Sequence, residues 1–226
     1  MKTYDAVSFD LFQTLVDVNQ RIPQIWKHIL KEDYTEKKAY EGATAVVSSF
    51  PDAYKQAVGE RFLNMEEVYR ICAAQAAEKL SLHTSAEQMA YAIMYEHGFS
   101  PFFEEVLEVL QEVKQKLPVF ICSDASHLMA DPIVEQLDLS GVYISDDLMY
   151  YKGDEKGRFF ETVLLETKID RKKILHIGDS MADIEGAKRS GMDACLIHRS
   201  KNRVVCTVKP DYQITNMHEL LSILKN

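Results

Sequence analysis

The chain is 226 residues long and acidic, with a formal net charge of −9, which argues against nucleic acid or an anionic membrane as its main partner because both attract a basic surface. The length fits one large domain or two small ones, and 46% hydrophobic residues are ordinary for a soluble globular protein. The four cysteines form no CxxC pair, and the sequence has no apolar leader and no run of membrane-spanning length. We therefore expect a cytoplasmic protein, a monomer or homodimer, that acts on a small molecule.

The first predicted strand is followed by a long helical segment. Residues 6–9 form a short apolar run of the kind that makes a buried strand. From there to about residue 98, apolar residues recur at helical spacing and no strand is indicated. Within this segment Pro51 predicts a break between two helices, and Thr84 with Glu87 predicts a capped helix start.

From residue 99 onward, helical patterns alternate with short strands. The predicted strands lie near residues 119–122, 142–144, 174–177, 194–197 and 212–214. Alternation of this kind is typical of a parallel sheet with helices on its faces. The predicted fold class is therefore α/β, a Rossmann-like parallel-sheet core of residues 1–15 and 99–226 with an inserted α-helical cap of residues 16–98.

Side chains that could take part in catalysis follow four of the predicted strands, either directly or after a short loop. Asp10 follows the first strand, Ser123 and Asp124 the second, Lys152 a loop after the third, and Asp179 the fourth. In an open parallel sheet the ligand binds outside the carboxyl ends of the strands, so these side chains are expected to converge on one crevice. Carboxylates, a hydroxyl and an ammonium group in one crevice are a set that phosphoryl transfer can use.

The motifs around these residues resemble those of the haloacid dehalogenase (HAD) superfamily of hydrolases, in the subfamily with a helical cap after the first strand. Residues 9–15, Phe-Asp-Leu-Phe-Gln-Thr-Leu, resemble the first motif, Ser123 the hydroxyl of the second and Lys152 the lysine of the third. Residues 178–183, Gly-Asp-Ser-Met-Ala-Asp, resemble the acidic fourth motif, and Gly186 continues it. The motifs occur in the family's order, and the helical insertion lies where the family has its cap.

The resemblance implies roles for individual residues. It assigns catalysis to Asp10, as the nucleophile that forms an aspartyl intermediate, together with Ser123 and Lys152. It implies substrate binding by a set of four residues, Thr14, Ser123, Asp124 and Lys152.

The resemblance also implies a magnesium site. Its ligands would be the Asp10 carboxylate, the main-chain carbonyl of Phe12 and the Asp179 carboxylate, with Asp183 behind them. Oxygen ligands of this kind are those that Mg²⁺ prefers. Without a cation, Asp10 and Asp179 in one crevice would repel each other, so the two carboxylates favour a bound metal.

Phe12 is the main departure from the pattern of the family's phosphatases. Those enzymes have an acid/base Asp two residues after the nucleophile, whereas an aromatic residue there is typical of 2-haloacid dehalogenases, whose halide leaves without a proton. Asp179 favours the opposite interpretation, because such dehalogenases use no metal and have Ser or Asn at that position. They are also expected to present a cap arginine to the halide, and this chain has no arginine between Arg21 and Arg61.

On this balance the sequence predicts a magnesium-dependent, phosphatase-type hydrolase that acts on a small phosphorylated metabolite through an aspartyl intermediate. Two alternatives stay open. One is a metal-independent 2-haloacid dehalogenase that uses the same Asp10. The other is a degenerate member that binds a ligand without turnover, an alternative motivated by Phe12 and by Gln13, where the family commonly has Gly or Asp.

Overall fold

The computed structural model describes residues 3–58, 61–199 and 204–225, and among them six strands form one parallel sheet. The strands follow the order β3-β2-β1-β4-β5-β6 across the sheet. Their bounds are Ala6–Phe9 (β1), Val119–Ser123 (β2), Gly141–Ile144 (β3), Ile174–Gly178 (β4), Asp193–Ile197 (β5) and Tyr212–Ile214 (β6). The predicted α/β fold class is confirmed, and each expected strand lies within one residue of its predicted bounds.

The helices connect these strands and fill the segment between β1 and β2. Their bounds are Ile22–Leu30 (α1), Glu36–Ala57 (α2), Met65–Leu80 (α3), Ala86–His97 (α4), Val106–Lys114 (α5), His127–Val134 (α6), Ser145–Leu148 (α7), Arg158–Thr167 (α8), Met181–Arg189 (α9) and His218–Leu224 (α10). Within the described ranges, none of these helices combines the length and the apolar character that a membrane span requires.

The chain divides into two compact units. The sheet unit comprises the described residues of 1–17, 102–124 and 137–226, and the helical unit comprises those of 18–101 and 125–136. The helical unit therefore includes α6, which lies outside the segment 16–98 that the sequence predicts as a cap. Close packing accounts for this grouping: at the end of α4, a Cβ on Gly98 would lie 3.0 Å from the carbonyl oxygen of Leu128 in α6.

The core of the sheet unit explains why its strands read as continuous apolar runs. All residues of β1, β2, β4 and β5 are buried, as expected for a parallel sheet covered by helices. Side chains of α8 and α9 pack in one buried cluster with side chains of the strands, among them Phe159, Phe160, Val163, Ile184, Ala6, Phe120 and Leu196. This packing fixes the strand ends that carry the candidate site.

The sheet register brings the ends of three strands level with one another. Phe9 of β1 pairs with Ile121 of β2 on one side and with Ile177 of β4 on the other. The strand order also reverses at β1, because the next two strands in the chain continue on one side of it and the last three on the other. Such a reversal opens a crevice at the carboxyl ends of the strands, and Asp10 lies there.

Two local predictions in the helical unit are wrong. Pro51 does not break the helix, because α2 runs through it from Glu36 to Ala57. A proline inside a helix removes one backbone hydrogen bond, and here the packing of α2 between α1 and α3 outweighs that loss. The α4 cap is Ser85, whose side chain accepts from the N–H of Gln88, whereas the Thr84 hydroxyl donates to the carbonyl of Ile29, a partner distant in sequence.

Candidate active site

Asp10, the first residue after β1, is the centre of a buried hydrogen-bonded group in the sheet unit. Its Oδ1 accepts hydrogen bonds from the Ser123 hydroxyl at 3.0 Å and from the Lys152 ammonium group at 2.6 Å. The residue is 5% exposed. Its main-chain N–H donates to the carbonyl of Ile177 at 2.8 Å, which fixes the backbone between the two neighbouring strands. The three residues that the sequence assigned to catalysis therefore lie in direct contact.

Lys152 bridges two carboxylates. Its Nζ donates to Asp10 Oδ1 and, at 2.5 Å, to Asp183 Oδ1, and the side chain is 4% exposed. Burial alone would lower the pKa of Lys152, but the charges of Asp10, Asp183 and Asp124 raise it well above its usual value. The ammonium group is therefore charged at neutral pH. Asp124 also accepts from the Lys152 main-chain N–H at 2.9 Å, so it fixes the backbone that presents this lysine.

Asp183 is positioned by the first turn of α9. Ser180 caps the helix by accepting from the Asp183 N–H, and the Asp183 carboxylate in turn accepts from the Ser180 N–H and hydroxyl. His176 in β4 lies 3.1 Å from Asp183 Oδ1 through Nε2 and 2.9 Å from the Ser8 hydroxyl through Nδ1. Gly178 is required beneath this group, because a Cβ there would lie 2.2 Å from Asp183 Cγ.

Asp10, Asp179 and Asp183 form an acidic cluster whose ligand atoms all lie within 4.8 Å of one another. Burial, followed by the charge of Asp10, raises the pKa of Asp179 well above its usual value. Burial also raises the pKa of Asp10, although Lys152 opposes the shift. For Asp183, Lys152 and His176 outweigh the effect of burial and hold the pKa well below its usual range. The donor set fits an oxygen-seeking cation, and Lys152 already neutralises part of it.

The loop after Asp10 forms a tight turn in the sheet unit. The N–H groups of Leu15 and Val16 both donate to the Leu11 carbonyl, and Gln13 N–H donates to the Val16 carbonyl at 2.8 Å. Gln13 has a φ of 59°, a conformation that favours Gly, Asn or Asp, which explains why the family commonly has Gly or Asp there. The Thr14 hydroxyl is buried and has no hydrogen-bond partner among the described residues.

Several residues of this network carry little signal in the sequence. His176 reads as an ordinary core histidine, although it contacts Asp183. Ser180 was detectable, because Ser followed three residues later by an acidic side chain is a capping-box pattern.

In the helical unit, Arg21 donates through Nε at 3.1 Å and through Nη2 to Glu96, which is 4% exposed. Its charge is therefore neutralised locally rather than presented as a free cation.

Comparisons with known proteins place this geometry in a family. The sequence family described as haloacid dehalogenase-like hydrolases matches residues 4–191. A relative named (S)-2-haloacid dehalogenase, from Pseudomonas sp. (strain YL), is 22% identical over 232 residues, covering 97% of this chain and 94% of its own.

Solved structures share the fold at low sequence identity. The L-2-haloacid dehalogenase from Xanthobacter autotrophicus with chloropropionic acid covalently bound has a TM-score of 0.82 at 17% identity, with 99% of each chain covered. The putative HAD-hydrolase YfnB from Bacillus subtilis bound to magnesium has a TM-score of 0.84 at 15% identity, with 100% of each chain covered.

These comparisons correct the main functional prediction. The expectation of a magnesium-dependent phosphatase is wrong, because the sequence relative is a 2-haloacid dehalogenase along nearly its whole length and such enzymes recur among the similar structures. The physical reason lies in Phe12, which offers no proton to a phosphate leaving group and was outweighed in the prediction by Asp179. With the family match spanning most of its residues, the chain belongs to the haloacid dehalogenase-like hydrolases.

Proposed function

We propose that this protein is a 2-haloacid dehalogenase, a hydrolase that replaces the halogen of a small 2-haloacid with a hydroxyl group. The observation that carries the proposal is the pairing of a buried Asp10, bonded to Ser123 and Lys152, with Phe12 at the position where an acid would protonate a poorer leaving group. Halide leaves without a proton, so the reaction needs no acid at position 12. The cytoplasm is the proposed location.

The proposed reaction has two steps. First, an Asp10 carboxylate oxygen attacks C2 of the haloacid; the C–O bond forms as the carbon–halogen bond breaks, and halide leaves with the electron pair. Second, water attacks the carbonyl carbon of the resulting ester, the acyl C–O bond breaks, and the 2-hydroxy acid, one proton and the Asp10 carboxylate are released. The atoms of haloacid and water are fully accounted for in 2-hydroxy acid, halide and proton.

Lys152 supports both steps electrostatically. Asp10 must be ionised to attack, and the buried ammonium group 2.6 Å away lowers the pKa that burial raises. The substrate brings a second carboxylate into an acidic site, so it needs donors as well as charge. We assign this role first to the Thr14 hydroxyl, since the buried Thr14 Oγ1 has no hydrogen-bond partner in the described part of the chain. The Ser123 hydroxyl donates its one proton to Asp10 Oδ1, so it would exchange that bond for one to the substrate, and Asp124 acts through the Lys152 backbone. The helical unit is proposed to select the haloacid.

Magnesium enters the proposal as a competitor rather than a reactant. Asp10, the Phe12 carbonyl and Asp179 would be its ligands, and Lys152 already bonds to Asp10. A cation on Asp10 would withdraw charge from the attacking oxygen, so we expect millimolar Mg²⁺ to leave halide release unchanged or to lower it.

The test is chloride release from 2-chloropropionate, measured with EDTA and with added Mg²⁺. We expect release that persists in EDTA and that Asp10→Asn abolishes. Asp193→Asn is the matched control. Asp193, the first residue of β5, is also a buried carboxylate, 4% exposed, but it accepts a hydrogen bond from the Tyr4 hydroxyl and is not bonded to Lys152 in the structure. A parent protein that releases no chloride, or that requires Mg²⁺ to do so, contradicts the proposal.

A further inference from the structure

Arg199 lies two residues beyond the end of β5, and its guanidinium group is enclosed within the sheet unit. Nε and Nη2 both donate to the carbonyl oxygen of Thr14, at 3.1 and 2.7 Å, and Nη1 donates to Glu105 Oε1 at 2.6 Å. The group stacks over the Phe103 ring, 4.0 Å from its centroid, and the side chain is only 8% exposed. An arginine enclosed in this way forms a specific contact rather than a solvated surface charge.

Glu105 is fixed in turn by further bonds. Its Oε1 also accepts from the Met217 N–H at 3.1 Å. Burial would raise the pKa of Glu105, but the bonds from Arg199 and Met217 outweigh it and lower the pKa. The carboxylate is therefore ionised, and it balances the guanidinium charge. Arg199 thus has one ionised partner, and it donates two further hydrogen bonds, from Nε and Nη2, to a single main-chain oxygen.

The Thr14 carbonyl oxygen, to which Arg199 donates, belongs to the loop that starts at Asp10. The loop contains Gln13 in the left-handed region, with a φ of 59°, a conformation that is strained for a residue with a Cβ. The same loop is held by Phe103 N–H, which donates to the Leu15 carbonyl at 3.0 Å. Arg199 and Phe103, which stack on each other, therefore bond the two neighbouring carbonyls of Thr14 and Leu15.

We propose that Arg199 is a positioning residue for residues 11–16: by bonding the Thr14 carbonyl it fixes the peptide that carries the Thr14 hydroxyl and the backbone that follows the nucleophile. The kinetic part of this inference rests on the proposed dehalogenase function. The conformational part does not. The bonds of Arg199 go to Thr14 and Glu105, so its effect on the reaction passes through the loop.

The experiment compares three variants. Arg199→Met keeps the apolar stem but removes every donor. The double variant, Arg199→Met with Glu105→Gln, also removes the buried charge of Glu105 that Arg199→Met leaves unpaired. It does not restore a bond to the Thr14 carbonyl. Arg171→Met is the matched control, because Arg171 also bonds a main-chain carbonyl, that of Ser190 at 2.8 Å, and a carboxylate, that of Glu161. It differs in lying just before the amino-terminal end of β4, whereas Asp10 lies at the carboxyl ends of the strands.

Amide hydrogen exchange is the readout that needs no activity. We expect the amides of residues 13, 15, 16 and 103 to exchange faster than in the parent, both in Arg199→Met and in the double variant. The amides of β4 and β5 should exchange in these two variants at the same rate as in Arg171→Met. For 2-chloropropionate we expect kcat to fall about 10- to 100-fold, because misplacing a reacting group by about 1 Å has effects of this size, and KM to rise, because the Thr14 hydroxyl that binds the substrate carboxylate is displaced. The double variant should recover thermal stability but not kcat.

Two results overturn the inference. One is unchanged exchange at residues 13, 15 and 16 in both Arg199 variants. The other is a double variant whose kcat returns to the parent value together with its stability, since that would make the role purely structural. If the parent releases no chloride, the proposed function fails, and the exchange measurement alone still decides whether Arg199 positions the loop.

Discussion

At the scale of single residues, Lys152 interacts electrostatically with three carboxylates, and its charge opposes the rise in the Asp10 pKa that burial causes. Replacing Lys152 with Met removes a nearby positive charge that lowers the Asp10 pKa, while burial and Asp183 continue to raise that pKa. The Asp10 pKa must therefore rise. We expect the acidic limb of the pH profile of kcat/KM to move to higher pH, and activity at neutral pH to fall by at least about 10²-fold.

Lys152→Arg is the control for this change, because it keeps the positive charge while altering the geometry. It should lower activity less than Lys152→Met and leave the acidic limb closer to that of the parent. An acidic limb that does not move in Lys152→Met would show that the limb reports a group other than Asp10.

Phe12 supplies a second prediction at this scale. Phe12→Asp places another carboxylate two residues after Asp10, which already belongs to a cluster of three carboxylates. Since halide departure uses no proton, the new acid has nothing to donate, and its negative charge raises the Asp10 pKa further. We expect chloride release to fall about 10-fold or more, whereas Phe12→Leu, which adds no charge, stays within a few-fold of the parent. Faster chloride release in Phe12→Asp would contradict the proposed chemistry.

At the scale of elements, the first turn of α9 links helix stability to the site. Ser180 caps α9 and bonds the Asp183 carboxylate, and Asp183 bonds Lys152. Ser180→Ala should lower the free energy of unfolding by about 1 kcal/mol, the usual cost of losing such a cap. It should also lower kcat, because Asp183 loses a donor that orients it.

The helical unit offers a matched control for this prediction. Asn64 and Glu67 form the same reciprocal capping box at the start of α3. Asn64→Ala should cost a similar free energy of unfolding, measured by urea denaturation, and leave kcat unchanged. Equal effects of the two variants on kcat would mean that Ser180 acts only through stability.

At the scale of the whole molecule, the acidic cluster makes stability depend on pH. The pKa of Asp179 is raised in the folded protein, first by burial and then by Asp10 and Asp183. A carboxyl group of this kind favours folding while it is protonated, so its contribution is present at low pH and is lost as the pH rises through the raised pKa. The parent should therefore lose stability from this residue as the pH rises from the ordinary carboxyl range toward the raised pKa of Asp179.

Asp179→Asn removes that loss, because the amide does not ionise. We expect its Tm to exceed that of the parent at pH 7.5 by at least about 2 °C, since 1 kcal/mol corresponds to about 2–4 °C for a chain of this size. The difference should shrink toward pH 4. Chloride release should persist in this variant, because the resemblance implies Asn or Ser at this position in dehalogenases. Loss of chloride release in a well-folded Asp179→Asn protein would instead assign Asp179 a part in the reaction.

Local patterns in the sequence were sufficient for most of the sheet. Short apolar runs and their following residues predicted every strand end that carries Asp10, Ser123 and Asp179. They succeeded because a buried parallel strand needs continuous apolar residues and because its carboxyl end is also the edge where ligands bind. The same local reasoning misplaced the cap of α4, where Thr84 bonds a carbonyl 55 residues away.

The function depended on weighing two residues whose local signals conflict. Phe12 indicated a leaving group that needs no proton, whereas Asp179 indicated a bound metal. The sequence contains both residues but does not show which of the two decides the reaction. The tertiary structure adds that Lys152 lies between Asp10 and Asp183, so a positive charge is already present in the acidic cluster.

The sequence by itself determined the fold class, the order of the strands along the chain and the identity of the residues at their ends, because these follow from hydrophobic periodicity and short motifs. Only the tertiary structure decided which oxygen each donor meets. Arg199 reaches the Thr14 carbonyl across 185 residues and Glu105 across 94, and no local pattern encodes contacts at such separations. They arise when the folded sheet, in which only β4 separates β1 from β5, brings the segment after β5 into contact with the loop that follows β1.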